Sequence, residues 1–114
     1  MKVDLENDKI VILETENGLG KLMRSHRKSR DRVFILFISQ WDEHCSSLVK
    51  NLFSGYTKKP KIYLVDSWNS AKAFVSYRSY FGDITRTPTL VTLTPGPPRV
   101  DDYLPNIYRA LDVG

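Results

Sequence analysis

One stretch of the sequence limits the possible folds more than any other. Residues 33–38 read Val-Phe-Ile-Leu-Phe-Ile and are apolar at every position. A strand that faces water on one side alternates apolar and polar residues, whereas a strand covered on both faces is apolar throughout. Residues 62–65, Ile-Tyr-Leu-Val, form a second run of this kind. Two such strands predict a sheet with helices packed against both of its faces, the arrangement of α/β proteins.

Helical patterns lie before and between these two strands. Residues 19–29 follow the turn pair Asn17-Gly18 and combine spaced apolar residues with basic ones, which predicts a helix with a solvated basic face. The second helix is expected to end near Gly55. Its apolar residues recur three or four positions apart, at Cys45, Leu48, Val49, Leu52 and Phe53.

Two further helices are expected in the second half of the chain. The third is predicted to enter through Ser67 or Asn69 as a cap and to close by Gly82. The residues whose spacing indicates this helix are Ala71, Phe74, Val75 and Arg78. The fourth has Pro105 in its first turn, where the missing N–H costs nothing. Its stripe consists of Leu104, Ile107, Tyr108 and Leu111.

Shorter strands complete the predicted order. Residues 9–13 form a first strand, residues 89–94 a half-buried fourth strand, and residues 99–103 an edge strand that returns after the turn at 95–98. The order β-α-β-α-β-α-β-β-α predicts a parallel core with an antiparallel hairpin, in a mixed sheet of four or five strands. A length of 114 residues fits one domain over residues 1–114.

Composition excludes several classes of protein. The chain has one cysteine, Cys45, so it forms no internal disulfide, and we expect a reducing compartment such as the cytoplasm, the nucleus or a virion. It has no apolar run of membrane-spanning length, and residues 1–6 lack the apolar segment of a signal peptide, so we expect no membrane association. The net charge of +4 permits acidic partners without requiring them.

Two motifs occur in an order that is similar to that of thioredoxins. Trp41-Asp42-Glu43-His44-Cys45 follows the buried strand, where thioredoxins carry Trp-Cys-x-x-Cys. The segment from Tyr80 to Leu90, with Thr87-Pro88-Thr89, resembles the thioredoxin Tyr-Gly-x-x-x-x-Pro-Thr segment, whose proline is cis and faces the active-site loop. The resemblance covers residues 33–114, and the first strand and helix agree in order alone. It implies a thioredoxin-like three-layer α/β sandwich.

The departures from this pattern concern the chemistry. Asp42 stands at the position of the nucleophilic first cysteine, and Leu36 falls where thioredoxins often bury an acid that helps proton transfer. Disulfide exchange needs an attacking thiolate and a resolving thiol, and a carboxylate can be neither. The resemblance therefore implies a redox-inactive member, with Asp42 and Cys45 as relics of the dithiol site.

Residue chemistry offers plain roles for both positions. Asp42 is expected to cap the second helix, and Cys45 to pack in the core as a small apolar residue. The alternative is an enzyme, a one-cysteine thiol oxidoreductase or a peroxidase that uses Cys45, since peroxiredoxins carry their reactive cysteine at this second position. Asp42 and Cys45 share a helix face, but two ligands are too few for a metal site. We expect no metal and no cofactor.

The predicted function is therefore binding, as an accessory factor or a small subunit of a larger assembly with a protein partner. One candidate surface is the groove that thioredoxins use for substrate peptides, formed here by Trp41, Asp42, Thr87 and Pro88. The other is a basic patch that could contact an acidic protein or a nucleic-acid backbone, formed by Lys21, Arg24, Arg27, Lys28 and Arg30.

A second, weaker resemblance suggests one kind of assembly to which the chain could belong. A small spliceosomal thioredoxin-like protein also pairs Trp-Asp-x-x-Cys with a later Ile-Tyr-Leu-Val-Asp strand, which reads Ile62 to Asp66 here. That family lacks the Thr-Pro-Thr found at residues 87–89 and is longer at its C-terminus. A phage or organellar assembly subunit is an equal alternative.

Overall fold

Nine helices and strands follow one another in the described part of the chain. The computed structural model describes residues 10–13, 16–29, 32–39, 42–56, 61–67, 71–81, 84, 86–94 and 96–112. The elements are β1 (Ile10–Ile12), α1 (Glu16–Ser29), β2 (Val33–Ile38), α2 (Glu43–Gly55), β3 (Ile62–Asp66), α3 (Ala71–Tyr80), β4 (Thr89–Leu93), β5 (Arg99–Asp101) and α4 (Leu104–Leu111). No described helix has both the length and the apolar character needed to cross a membrane.

The strands form one mixed sheet in the order β1-β3-β2-β4-β5. β3 pairs in parallel with both β1 and β2, β4 is antiparallel to β2, and β5 is antiparallel to β4. In the central row, Leu36 lies opposite Leu64 on one side and Leu90 on the other. The central place of β2 explains why all six of its residues are apolar and buried. The predicted α/β fold with a mixed sheet is confirmed.

Two apolar clusters, one on each face, hold the helices to the sheet. Phe34, Leu36 and Ile38 of β2 belong to the cluster that contains the buried residues of α2 and α4. The alternate β2 residues, Val33, Ile35 and Phe37, belong to the cluster that contains Leu22 of α1 and the buried residues of α3. Since side chains alternate along a strand, β2 builds both cores at once. The result is the predicted sandwich of helices, sheet and helices.

α1 begins earlier than the sequence pattern predicts. Asn17 and Gly18 lie within its first turn, which starts at Glu16, and they do not form a turn ahead of the helix. The first four N–H groups of a helix have no intrahelical partner, so residues that weaken helix interiors are tolerated there.

β4 is buried at all five positions, whereas the sequence predicts a half-buried strand. It lies between β2 and β5, and helices cover both of its faces. Its threonines are buried with the rest, and the Thr89 hydroxyl donates to the Arg86 carbonyl at 2.6 Å. A hydroxyl with a hydrogen-bond partner can be buried at little cost, which polarity alone did not indicate.

α3 packs through a face that matches the predicted stripe only at Phe74, which is half-buried against the core. Ala73 and Tyr77 are fully buried, whereas Ala71 and Val75 are exposed. Of its two predicted caps, Asn69 lies outside the described residues. Ser67 lies in the turn after β3, where its N–H donates to the Ile38 carbonyl at 2.9 Å.

Candidate functional site

The topology brings the two predicted motifs to the same edge of the sheet. α2 starts shortly after the end of β2, and residues 86–88 lead into β4. Because β4 is antiparallel to β2, the start of β4 lies beside the end of β2, with Thr89 opposite Phe37. Asp42, at the start of α2, therefore meets Thr87, although 45 residues separate them in the chain.

Asp42 is the N-cap of α2, as predicted. Its backbone is extended, with φ −94° and ψ 121°, and its Oδ1 accepts a hydrogen bond from the His44 N–H at 2.9 Å. Its backbone carbonyl accepts the first helical hydrogen bond, from Ser46 N–H. The second carboxylate oxygen, Oδ2, accepts from the Thr87 hydroxyl at 3.4 Å. Asp42 thus both starts the helix and links it to the loop before β4.

Thr87 and Pro88 complete this edge. The peptide bond between them is cis. Pro88 is buried, whereas Thr87 and Asp42 are half-buried, so both polar side chains have an accessible part. The arrangement is a small polar surface beside the start of α2.

Cys45 lies one turn into α2 and is buried, with 1% of its surface exposed. Its Sγ accepts a hydrogen bond from Ser39 N–H at 3.4 Å. Burial raises the pKa of the Cys45 thiol above its ordinary value of 9.0, and the Asp42 carboxylate also raises it. The hydrogen bond from Ser39 N–H acts in the opposite direction without reversing the shift. Cys45 is therefore a neutral thiol at neutral pH.

The surroundings of Cys45 offer no buried acid from β2. Leu36 is fully buried and belongs to the same apolar cluster as Cys45. A surface cavity of about 210 Å³ lies beside the thiol. It is lined by Ile38, Ser39, Cys45, Ser46, Val49 and Lys50. Within the part of the chain that the structure describes, no group of three or more His, Cys, Asp and Glu side chains could hold a metal ion.

The other predicted binding residues are distributed differently. Trp41 and Arg30 lie outside the described residues. Lys21 and Arg24 are exposed on α1, and Arg27 and Lys28 belong to the same helix, although their side chains are not among those described. α1 packs on the face of the sheet opposite to α2. Of the described residues, Asp42 and Thr87 of the predicted groove and Lys21 and Arg24 of the predicted basic patch therefore lie on separate parts of the surface.

The structure also groups three arginines that sequence reasoning did not connect. Arg32, Arg99 and Arg109 line one cavity of about 340 Å³ at the other end of β2 from Asp42. Sequence distance hides this cluster, because Arg32 precedes β2, Arg99 opens β5 and Arg109 belongs to α4. The predicted hairpin could have indicated part of this cluster, because it places Arg99 beside Thr92 of β4.

Comparison with solved structures identifies the fold. A thioredoxin of Nicotiana alata is 14% identical and superposes with a TM-score of 0.70, over 92% of this chain and 91% of its own. Thioredoxin O2 of Arabidopsis thaliana is also 14% identical, with a TM-score of 0.68 over 91% and 92% of the two chains. The Schistosoma mansoni thioredoxin is 19% identical, with a TM-score of 0.63 over 90% and 93%. No protein-family model matches the sequence, and no curated protein matches it.

Proposed function

We propose that this chain, which has the thioredoxin fold, performs no dithiol chemistry and acts by binding another protein, as an accessory factor or a small subunit of an assembly. The observation that supports the absence of dithiol chemistry is the position of Asp42. It caps α2 at the position where the resembling motif has its nucleophilic cysteine, and the chain holds no second thiol to pair with Cys45. Two-thiol exchange needs both sulfur atoms.

Insulin-disulfide reduction tests the absence of dithiol chemistry. Wild-type protein with a thiol reductant should precipitate insulin no faster than the reductant alone, because a mixed disulfide on Cys45 has no resolving thiol. The matched control is Cys45→Ser, which removes the thiol and should give the same background rate. Turnover by wild-type protein well above that of Cys45→Ser would contradict the proposal.

Asp42→Cys extends this test to the rest of the site. The variant restores a Cys-x-x-Cys spacing at the start of α2, and we expect measurable but poor turnover. Leu36 supplies no buried acid, and Glu43 in the first turn of α2 opposes a thiolate. Full thioredoxin activity in Asp42→Cys would show that these neighbours do not matter.

The binding surface that we favour is the groove around Asp42, Thr87 and Pro88, together with Trp41. Its support is the contact between Asp42 and Thr87, which leaves two half-buried polar side chains side by side at one sheet edge. Exposed charges such as Lys21 and Arg24 mainly raise association rates and lose their effect with salt. The half-buried surface of the groove is therefore better suited to a specific contact than the exposed charges of α1 are.

Two variants distinguish the surfaces in a quantitative capture of the natural partner. Thr87→Arg places a long charged side chain in the groove and should abolish recovery of the partner. The pair Lys21→Gln, Arg24→Gln should retain it at physiological salt. The reverse pattern would assign binding to α1, and absence of any saturable partner would contradict a binding role. Circular dichroism establishes beforehand that each variant is folded.

One observation favours a second candidate, a one-cysteine thiol oxidoreductase or peroxidase. Ser39 N–H donates a hydrogen bond to the Cys45 sulfur, which stabilises a thiolate, and a surface cavity reaches this residue. Burial and the Asp42 charge outweigh this donor in the pKa of the thiol. The rate at which Cys45 reacts in the folded protein separates the two candidates.

A further inference from the structure

The cavity at the opposite end of β2 is assembled from three strands and one helix. Phe34, Thr92 and Arg99 form one row across β2, β4 and β5. Residues two positions along a strand point to the same side, so this face continues to Arg32, Thr94 and Asp101. α4 covers it with residues three and four positions apart, which share one helix face. These are Asn106, Arg109 and Ala110.

Charge is unevenly distributed around this cavity, which we call the arginine pocket. Among the described residues, its lining includes three exposed arginines, Arg32, Arg99 and Arg109, and one acidic residue, Asp101. Asp101 contacts the Nε of Arg99 at 3.1 Å, and its side chain is 12% exposed. The Arg99 side chain itself is 73% exposed, so the contact leaves it accessible to solvent. The described lining residues therefore carry a net charge of +2.

The residue types select the ligand. The planar fork of arginine matches two oxygens of a phosphate group, and hydroxyl and amide groups such as those of Thr92 and Asn106 supply further hydrogen bonds. A volume of about 340 Å³ lies at the small end of the range for small-molecule sites, roughly 300–1,000 Å³. We propose that the arginine pocket binds the phosphate groups of a small phosphorylated molecule, and pyrophosphate is the simplest probe.

An NMR titration with pyrophosphate at constant ionic strength tests this proposal. We expect saturable shifts of the backbone amides of Arg32, Arg99 and Arg109, and small shifts around Asp42. Arg109→Gln should weaken pyrophosphate binding by at least about tenfold, because it removes a charge-assisted contact. Arg32→Gln should have a similar effect and changes no helix or strand, so it keeps the test valid if the α4 variant is unstable.

Arg78→Gln is the matched control. Arg78 is exposed on α3, which packs on the other face of the sheet, and the substitution removes the same charge. It should change pyrophosphate affinity by less than about twofold, since screened charges at a distance contribute little. Equal weakening by Arg78→Gln and Arg109→Gln would show diffuse attraction and overturn the proposal.

Titrations with other phosphate compounds identify which kind of molecule supplies the phosphate group. Inorganic phosphate should bind more weakly than pyrophosphate at the same amides, and a nucleoside diphosphate should bind at least as well as pyrophosphate. A single-stranded oligonucleotide that binds more tightly than either, with an equal loss in Arg32→Gln, Arg109→Gln and Arg78→Gln, would indicate backbone binding along the surface and contradict a small-molecule pocket. Absence of saturable shifts up to about 10 mM pyrophosphate would also overturn the proposal.

Discussion

A single carboxylate changes the electrostatics of the start of α2. The N-terminus of a helix stabilises a nearby negative charge, which is how the same position can lower the pKa of a cysteine. Here the negative group is the Asp42 carboxylate, which accepts a hydrogen bond from the His44 N–H at 2.9 Å. The charge lies one turn from Cys45 and raises the pKa of its thiol. The residue that stabilises the helix thus also suppresses a thiolate at Cys45.

Removing the cap should destabilise the protein without unfolding it. Asp42→Ala loses the acceptor for the His44 N–H and the link to Thr87, and we expect the free energy of unfolding to fall by about 1 kcal/mol. Urea denaturation measures the change. Asp42→Ser keeps a capping oxygen and is the control, with a smaller loss. Equal losses in both variants would show that capping is not the role of Asp42.

Tyr56 should make stability depend on alkaline pH. Burial raises the pKa of Tyr56 from 10.0 to about 12. Since the unfolded state releases this proton first, the contribution of Tyr56 is complete below pH 10 and is lost as the pH rises toward 12. Tyr56→Phe should therefore lose less stability than wild type between pH 9 and pH 11, by about 1 kcal/mol. Parallel curves of unfolding free energy against pH would contradict this.

At the scale of elements, the sequence predicted most where burial is complete. β2 has the predicted bounds because every residue is apolar, and α2 ends at Gly55 as its stripe indicates. The sequence predicted less where burial is partial. The apolar pattern of α3 is compatible with either of two buried faces, and in the structure Ala73 and Tyr77 are the residues that are buried. The burial of Thr89 depends on a hydrogen bond to Arg86, which no pattern of polarity records.

The packing face of α3 can be tested with two substitutions in one helix. Tyr77→Ala removes a large, fully buried side chain and should lower the free energy of unfolding by about 3 kcal/mol or more. Val75→Ala, on the exposed face, should change it by less than about 0.5 kcal/mol. Chemical denaturation of both variants measures the difference. A larger loss of unfolding free energy for Val75→Ala than for Tyr77→Ala would show that α3 packs on the sheet through the face of Val75.

At the scale of the whole molecule, two candidate sites of different chemistry lie at the two ends of β2. Asp42, Thr87 and Cys45 lie beyond its carboxyl end, and the arginine pocket lies at its amino end. The sequence indicated the first candidate site, with Asp42 near Thr87, because these residues belong to two local motifs in a familiar order. It could not predict the second, because Arg32, Arg99 and Arg109 meet through strand pairing and the position of α4.

We propose that Cys45 is a core side chain and not a nucleophile, and the alkylation rate of its thiol tests this proposal most directly. Folded protein and urea-unfolded protein are treated with iodoacetamide near pH 7.5, and intact mass measures the modified fraction over time. Because the thiol is buried and its pKa is raised, we expect folded protein to react at least about tenfold more slowly than unfolded protein. Reaction of folded protein faster than unfolded protein would identify Cys45 as an activated thiol and contradict the account.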